Sequence, residues 1–401
     1  MSLQQRITAL AQAVGADIRK LDVSRHPAIR PSLRLDFINC ARLDPRITFT
    51  RASGAWRYNA SGQYEWLAAD QPRIDYDPVT GECLGLLIEE QRTNLVTNSD
   101  TSDVTYYPHN GQEAPATLSN GVSGQSLTVP SDGFADFNQI IAVSASTAYT
   151  LSFYATSSGV SIRPAVQDVS NTAWIVSPGQ FYELSSQPTR IEISFTTPAG
   201  CTQIGVRFHY GNLSTGDTVA FGGFQLEEGS FPTSYIPTSG SQKTRDPDIA
   251  SIPVSAFGYN DQAGTVVVEY STFHTYTGSP YPRVVNLSQV GAASRTGVEI
   301  LGYLNNTTFE VYNLGANQSS AGSGTGGGGT VAIAFAQDNI QAAKDGSLVG
   351  ATDTSATIVP YTDMFIGMSN AFGSNHISGH IKSLKYFPRR LTDAQLQELT
   401  A

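Results

Sequence analysis

The sequence predicts a mainly β protein with two tandem antiparallel β-sandwich (jelly-roll) domains, preceded by a short N-terminal coiled-coil helix and an irregular β-arm. Segments such as "TAYTLSFYATS", "TRIEISFTTPA" and "TQIGVRFHYG" alternate apolar and polar residues, and Gly, Pro, Ser and Asn turns separate them at short intervals. Only 14% of the residues are charged, against about a quarter in average soluble proteins. With 401 residues the chain exceeds what one compact core usually serves, so more than one domain is expected.

Residues 1–24 are predicted to form a helix with the apolar stripe of a short coiled coil. Apolar residues recur there in alternating steps of four and three, at Leu3, Ile7, Leu10, Val14 and Leu21. This is the spacing of a coiled-coil seam. A lone helix of this length is marginal in water and needs a partner, which is either other copies of the chain or its own β-domain.

Residues 25–100 are predicted to form an irregular β-arm. "RITFTRASGAWRYNASGQYEWL" predicts a hairpin around "NASGQ", and "LGLLIEEQRTNLV" is a further strand candidate. The arm carries too few apolar residues for a core of its own, so we expect it to lie along neighbouring domains or subunits.

The remaining residues divide into two predicted sandwiches, 101–240 and 250–401, joined by a linker at 241–249. "SSAGSGTGGGGT" in the second sandwich predicts a flexible loop that does not pack. The chain ends in a predicted helix with Thr392 as its N-cap, Gln395 completing a capping box, and Leu391 with Leu396 as a hydrophobic staple.

Charge and hydropathy argue against several classes of protein. The net charge is −10 and no basic run occurs, which disfavours nucleic-acid binding. No apolar stretch approaches the roughly 20 residues of a membrane span. The first residues also lack the pattern of a secretory signal. The three cysteines, Cys40, Cys83 and Cys201, are far apart and are predicted to be free thiols.

The adjacent acids do not predict a catalytic pair, and we expect the protein not to be an enzyme. Glu89–Glu90 and Glu227–Glu228 lie in strand-like segments, where neighbouring side chains point to opposite faces. The alternative that the protein is a glycosidase whose catalytic acids come from distant positions in the sequence stays open. His376 and His380 are four residues apart but lie in a β context, so we expect exposed loop histidines, no metal site and no cofactor.

Saccharide recognition, rather than catalysis, is the function that the loops of the second predicted sandwich favour. Sugars present C–H faces for aromatic stacking and hydroxyls for hydrogen bonding. Turns of the second predicted sandwich supply such groups at His274, Tyr276, Tyr281, Asn305, Asn306, Tyr312, Asn375 and His376. Turn formation and packing at strand ends explain each of them equally well. Trp174 is a second candidate, for which a position in the core is the favoured alternative.

Several phrases resemble a known family. "SLQQRITALAQAVGADIRKL" resembles the N-terminal coiled segment of tailed-bacteriophage fibre proteins. "DPRITFTRASGAWRYNASGQ", "QPRIDYDPVTGECLGLLIEEQRTNLVTNS" and "QLEEGSFPTSYIPTSGSQKTRDPD" are similar to phrases of phage tail proteins, where the last closes a carbohydrate-binding-module-like jelly roll. The stretch from "GTVVVEY" to "GHIKSLKYFPRRLTDAQLQEL" is similar to the concanavalin A-like (laminin-G-like) lectin fold, without the Asp/Asn cluster of its calcium-dependent members.

The resemblance implies a tail-fibre or receptor-binding protein of the virion, made in the host bacterial cytoplasm. It implies a homotrimer that contacts other tail or baseplate proteins through its N-terminus. Its C-terminal lectin-like sandwich is expected to bind a saccharide or another receptor on the host surface, with no nucleic-acid partner and no membrane insertion. The alternatives are a purely structural virion protein, such as a collar, decoration or fibre connector, and a polysaccharide depolymerase.

Overall fold

The structure is a computed structural model that describes residues 30–39, 42–100, 112–128, 138–210, 214–272, 282–288, 297–303, 306–313, 316–325, 328–369 and 375–401. The predicted N-terminal helix lies outside these residues, together with its seam of Leu3, Ile7, Leu10, Val14 and Leu21. Cys40 lies outside them too. Cys201 is a buried free thiol and Cys83 a half-buried one, in agreement with the sequence prediction.

The described strands are numbered in chain order. Residues before 100 contribute β1 (Leu33–Asp36), β2 (Thr48–Thr50), β3 (Ala55–Tyr58), β4 (Tyr64–Leu67), β5 (Arg73–Tyr76), β6 (Cys83–Ile88) and β7 (Arg92–Asn94). The following residues, as far as 228, contribute β8 (Gln112–Thr117), β9 (Ser123–Thr128), β10 (Asn138–Ala142), β11 (Ala148–Ser157), β12 (Ser161–Asp168), β13 (Ala173–Val176), β14 (Tyr182–Glu183), β15 (Thr189–Thr196), β16 (Gln203–Tyr210) and β17 (Thr218–Glu228).

The C-terminal part continues this series and ends in a helix. Its strands are β18 (Lys243–Arg245), β19 (Ile249–Pro253), β20 (Ala263–Thr272), β21 (Arg283–Ser288), β22 (Gly297–Tyr303), β23 (Asn306–Asn313), β24 (Ala316–Thr325), β25 (Gly328–Ala336), β26 (Asn339–Lys344), β27 (Ser347–Asp353), β28 (Asp363–Ile366) and β29 (Gly379–Phe387). The helix is α1 (Asp393–Thr400).

The middle sandwich consists of two antiparallel sheets. One has the strand order β15-β11-β17-β9-β8, and the other has β10-β16-β12-β13 with β14 added beside β12. Alternation directs one face of each strand inward: in β15, Ile191, Ile193 and Phe195 are buried while Glu192 and Ser194 are exposed. The stacked rings of Phe153 and Phe224 lie in the core between the sheets, with centroids 4.9 Å apart.

The second sandwich combines strands from both ends of the chain. Its larger sheet has the order β27-β26-β25-β20-β29-β6-β5, with β1 also paired to β29. Its other sheet has the order β2-β19-β28-β21-β22-β23-β24. A single core cluster joins the inner faces, from Leu33 and Ile88 to Val268 and Leu384. The predicted mainly β fold with two antiparallel sandwiches is confirmed.

The connection between the two sandwiches corrects the predicted organisation. Strands from the predicted arm, 25–100, are part of the second sandwich, and β6 pairs with β29 at the other end of the chain. The predicted linker, 241–249, contains β18, which pairs with β7, together with buried Arg245 and Asp248. From residue 30 onward, the chain therefore first contributes strands to the second sandwich, then forms the middle sandwich, and returns beside its point of exit.

Two predicted local elements are confirmed and one is wrong. The hairpin around "NASGQ" forms between β3 and β4. The predicted capping box is present, because Thr392 Oγ1 accepts from Gln395 N and Gln395 Oε1 accepts from Thr392 N. The sequence predicts a flexible loop over 319–330, but 319–325 belong to β24, which pairs with β23, and 328–330 begin β25. Strand pairing uses backbone groups, so small side chains of weak β propensity do not prevent it.

Helix α1 explains the unbroken apolar run "GTVVVEY". In β20, Val266 and Val268 face the core between the sheets, whereas Val267 faces outward. Leu391 and Leu396, the predicted staple residues, cover this outer face. The strand is thus buried on both sides, which is why it does not alternate.

We predict that Leu396→Ala destabilises the protein by about 2–5 kcal/mol, because the substitution leaves a cavity between α1 and the outer face of the larger sheet. Chemical denaturation monitored by circular dichroism measures the change. Leu348→Ala removes a leucine side chain that is 38% exposed on β27, and this control should change stability by less than about 0.5 kcal/mol. Equal effects of the two substitutions would contradict the packing described for α1.

Candidate functional site

Most predicted ligand-binding residues of the second sandwich lie where the structure gives no side-chain description. His274, Tyr276, Tyr281 and Asn305 are outside the described residues. Asn306 begins β23, and Tyr312 lies near its end. The binding roles assigned to these residues stay predictions.

The other two candidates, Asn375 and His376, are buried. His376 is 1% exposed, and Asn375 is buried as well. Their segment is held in place because Arg283 N donates to Asn375 O at 2.9 Å and Ile377 N donates to Gly367 O at 3.0 Å. The prediction of an exposed loop histidine at position 376 is therefore wrong, and this conformation presents neither side chain to a ligand.

His380 is also buried rather than exposed, and its role is structural. Its Nε2 lies 3.0 Å from Asp75 Oδ2, while Asp75 Oδ1 accepts from Tyr58 N at 2.8 Å. Asp75 thus ties the β3–β4 hairpin to β29. In the described part of the chain, no group of three or more His, Cys, Asp or Glu side chains is placed to hold a metal ion. No helix there is long and apolar enough to cross a membrane.

One acid of each adjacent pair, Glu89 or Glu227, is fully buried, whereas its neighbour, Glu90 or Glu228, is more exposed. Glu227–Glu228 ends β17, but Glu89–Glu90 lies between β6 and β7 and not in a strand as predicted. Glu227, which was expected at an exposed strand end, accepts hydrogen bonds from Thr233 N at 2.8 Å and Thr233 Oγ1 at 2.6 Å. Glu89 accepts from the next residue, with Ser234 N at 2.7 Å and Ser234 Oγ at 2.6 Å. The two carboxylates together fix one chain segment, residues 233–234.

Glu89 also belongs to a buried ion cluster, which consists of Arg51, Arg73, Glu89, Arg245 and Asp248. Arg73 contacts Glu89 at 2.7 Å and also pairs with Asp248. Arg51 lies 3.0 Å from Asp248, and Arg245 lies 3.5 Å from Glu89 and 3.8 Å from Asp248. The five side chains are almost completely inaccessible to solvent, so no substrate reaches these carboxylates in this conformation.

The cluster keeps Glu89 ionised. Burial acts to raise the pKa of Glu89, but the guanidinium groups of Arg245 and Arg73 and the hydrogen bonds from Ser234 outweigh it. The pKa therefore lies well below its ordinary value. A carboxylate held ionised and enclosed suits a structural role and not proton transfer.

The outer face of the sheet β10-β16-β12-β13 carries exposed aromatic residues. Trp174 is 44% exposed, and Phe181 48%. The favoured prediction of a core tryptophan is therefore wrong. The reason is register: Trp174 lies opposite Gln167, on the outward side of β12, whereas Val176 lies opposite the buried Val166. A register shift in this pair leaves Ile175 and Val176 both packed against the core.

Cross-strand pairing places four residues in one row on this face. Ile140 pairs with Gly205, Gly205 with Gln167, and Gln167 with Trp174. Ile140 is 53% exposed. The row spans three strand spacings, roughly 14 Å. Because Gly205 has no side chain, the row has a depression between the aliphatic side chain of Ile140 and the aromatic ring of Trp174.

Two arginines support the aromatic rings. Arg207 Cζ lies 5.9 Å from the centre of the Trp174 ring, and Arg163 Cζ lies 5.1 Å from that of Phe181. Such contacts are attractive and restrict the orientation of the rings. We call this surface the aromatic face; it consists of Ile140, Arg163, Gln167, Trp174, Phe181, Gly205 and Arg207. Trp174 had been considered from the sequence, but its neighbours were missed because only the pairing register brings them together.

Comparison with known proteins gives little further information. No family model and no curated protein matches the chain. One similar solved structure, described as "CBM4 structure and function", is 16% identical, with 36% of this chain and 97% of that chain covered and a TM-score of 0.26. Another is the N-terminal CBM22-1-CBM22-2 tandem domain from Paenibacillus barcinonensis Xyn10C, at 8% identity, with coverage of 74% and 96% and a TM-score of 0.28. TM-scores this low carry no conclusion about the ligand.

We predict that Asp248→Asn destabilises the protein by about 3–5 kcal/mol, because Arg51 and Arg73 lose a buried counter-charge. Urea denaturation measures the difference. Asp44→Asn is the matched control, since Asp44 pairs with Arg46 near the surface, and its cost should stay below about 1 kcal/mol. A cost as small for Asp248→Asn would show that the cluster contributes little.

The low pKa of Glu89 predicts a pH dependence. Since this pKa is lower in the folded than in the unfolded chain, Glu89 stabilises the fold above its unfolded value of about 4.3 and loses this effect as the pH falls further. The difference in unfolding free energy between wild type and Glu89→Gln should therefore narrow from about pH 6 to about pH 3. Glu228→Gln controls for the loss of one acid. A difference that is constant with pH would contradict the assignment.

Proposed function

We propose that the protein is a non-catalytic saccharide-binding protein and that the aromatic face of the middle sandwich is its binding surface. The observation that carries the proposal is the outward-facing row from Ile140 through Gly205 and Gln167 to Trp174, whose two end residues are exposed. The exposed ring of Trp174 can stack on the C–H face of a pyranose. Arg207 lies against this ring and restricts its orientation, which lowers the entropy lost on binding.

Gln167 supplies the polar half of the recognition. Its amide makes no hydrogen bond within the described part of the chain and lies beside Trp174 in the row. Gln203, which lies on the same side of β16 as Gly205, likewise makes no side-chain hydrogen bond to a described residue. Amides both donate and accept, as adjacent sugar hydroxyls do. An aromatic ring beside an uncommitted amide matches the amphipathic surface of a sugar.

We further propose that the chain acts in a phage virion, as a tail-fibre or receptor-binding protein that attaches the particle to a host-surface glycan. The similarity of its phrases to those of phage tail proteins supports this setting. In a homotrimer, three weak sites would gain avidity through effective concentration. The site expected in the lectin-like C-terminal sandwich remains a second proposal, because the structure gives no side-chain description for six of its eight residues.

Trp174→Ala should weaken the binding of the full chain to host cells or their isolated polysaccharide by about tenfold, or about 1.4 kcal/mol. The substitution removes the ring that stacks on the sugar. Pull-down and surface plasmon resonance measure the change. Leu348→Ala, which removes an exposed leucine from the other sandwich, should bind like wild type. If wild type binds but Trp174→Ala binds equally well, the aromatic face is not the site.

Absence of catalysis is tested with the same polysaccharide. Prolonged incubation of the polysaccharide with the full chain should release no new reducing ends, and the molecular mass distribution of the polysaccharide should stay unchanged. Release of reducing ends would replace the proposal by that of a depolymerase. If no host saccharide is bound at all, a purely structural virion protein is the better account.

A further inference from the structure

A cleft of about 470 Å³ lies between the β3–β4 hairpin and the middle sandwich. It is separate from the aromatic face and shares no residue with it. Aromatic and hydroxyl-bearing side chains predominate in its lining, which includes Trp56, Tyr64, Ser99, Ser123, Tyr235 and Thr238. A volume of this size is within the range of small-molecule sites.

The walls of the cleft are fixed by hydrogen bonds behind its surface. The Ser99 and Tyr235 hydroxyls are 2.6 Å apart, and Thr238 N donates to Ser99 Oγ at 2.9 Å. On the hairpin side, Tyr64 N donates to Asn120 O at 2.9 Å, and the Tyr64 and Tyr154 hydroxyls are 2.5 Å apart. These bonds tie each wall of the cleft to neighbouring segments of the chain, so the cleft is preformed.

The groups on the rim of the cleft are not committed in this way. The side chains of Ser123, Ser239, Ser241 and Gln242 are exposed and make no hydrogen bond within the described ranges. Lys243 extends its ammonium group over Trp66, with Nζ 5.1 Å from the ring centre. It forms no ion pair with a described residue. The inner polar groups therefore build the cleft, while the outer ones remain available to a ligand.

The lining indicates the chemical class of that ligand. Trp56, Tyr64 and Tyr235 offer ring surface, and the rim offers hydroxyl, amide and ammonium groups. Asp100 and Lys243 give the lining one acid and one base, so its formal charge is balanced. A neutral ligand that combines C–H faces with several hydroxyls satisfies both sets of groups.

We propose that this cleft is a second saccharide site, which takes the end of a neutral saccharide. The site extends the proposed function to another surface of the same chain, and either site can fail without the other. Occupying both would let one chain hold a saccharide at two points, which raises the effective affinity.

Intrinsic fluorescence isolates this site. The chain has three tryptophans, Trp56, Trp66 and Trp174, so Trp174→Phe confines the emission to the pair beside the cleft and removes the stacking ring of the aromatic face. Titration of this variant with the methyl glycosides of glucose, galactose and mannose, and with maltose, should give a saturable change with at least one of them. No saturable change with any of these sugars would overturn the proposal.

Variants of the rim locate the change. In the Trp174→Phe background, Lys243→Ala and Gln242→Ala should each weaken binding by about fivefold through the loss of a hydrogen-bond donor. Lys382→Ala, on β29 of the other sandwich, is the matched control and should bind unchanged. An unaltered affinity in both rim variants would overturn the cleft as the site. Tighter binding of methyl glucuronide than of methyl glucoside would overturn the assignment to neutral sugars.

Discussion

The arrangement of the two sandwiches depends on the buried ion cluster at the point where the chain leaves the second sandwich and returns to it. Glu89 stands at the exit and Arg245 with Asp248 at the return, while Arg51 and Arg73 come from the strand-rich region before the exit. Buried charged side chains are tolerated only when they pair with one another. The cluster therefore forms only if both crossings are correctly placed, and it links the position of the middle sandwich to the second one.

The return segment "SFPTSYIP" is held by side chains from both crossings. Glu227 binds Thr233 and Glu89 binds Ser234, so two carboxylates that are distant in sequence fix consecutive residues. Gln225 Oε1 accepts from Ile236 N at 2.6 Å. The same segment provides Tyr235 to the cleft. Acids that were candidates for catalysis thus position a wall of the cleft, and their hydrogen bonds are made within the fold.

Sequence patterns predicted what depends on local order. Alternation gave the strands of both sandwiches, and the cap at Thr392 gave helix α1. The insertion of the middle sandwich between two parts of the second sandwich was not predictable in this way, because the pairing of β6 with β29 leaves no local sequence pattern. Arg73 and Asp248 would be placed on the surface from composition alone, since charged residues are rarely buried unless paired. The exposure of Trp174 depends on the register of β12 with β13, which the sequence does not specify.

The proposed function requires that saccharide binds to the outer face of the middle sandwich. The three tryptophans give three indole N–H signals in a ¹H–¹⁵N spectrum of the full chain, which single substitutions can assign. On addition of oligosaccharides prepared from host-surface polysaccharide, the Trp174 signal should shift in a concentration-dependent way. If all three signals remain in place while another method shows that the oligosaccharides bind, the aromatic face is not the binding surface.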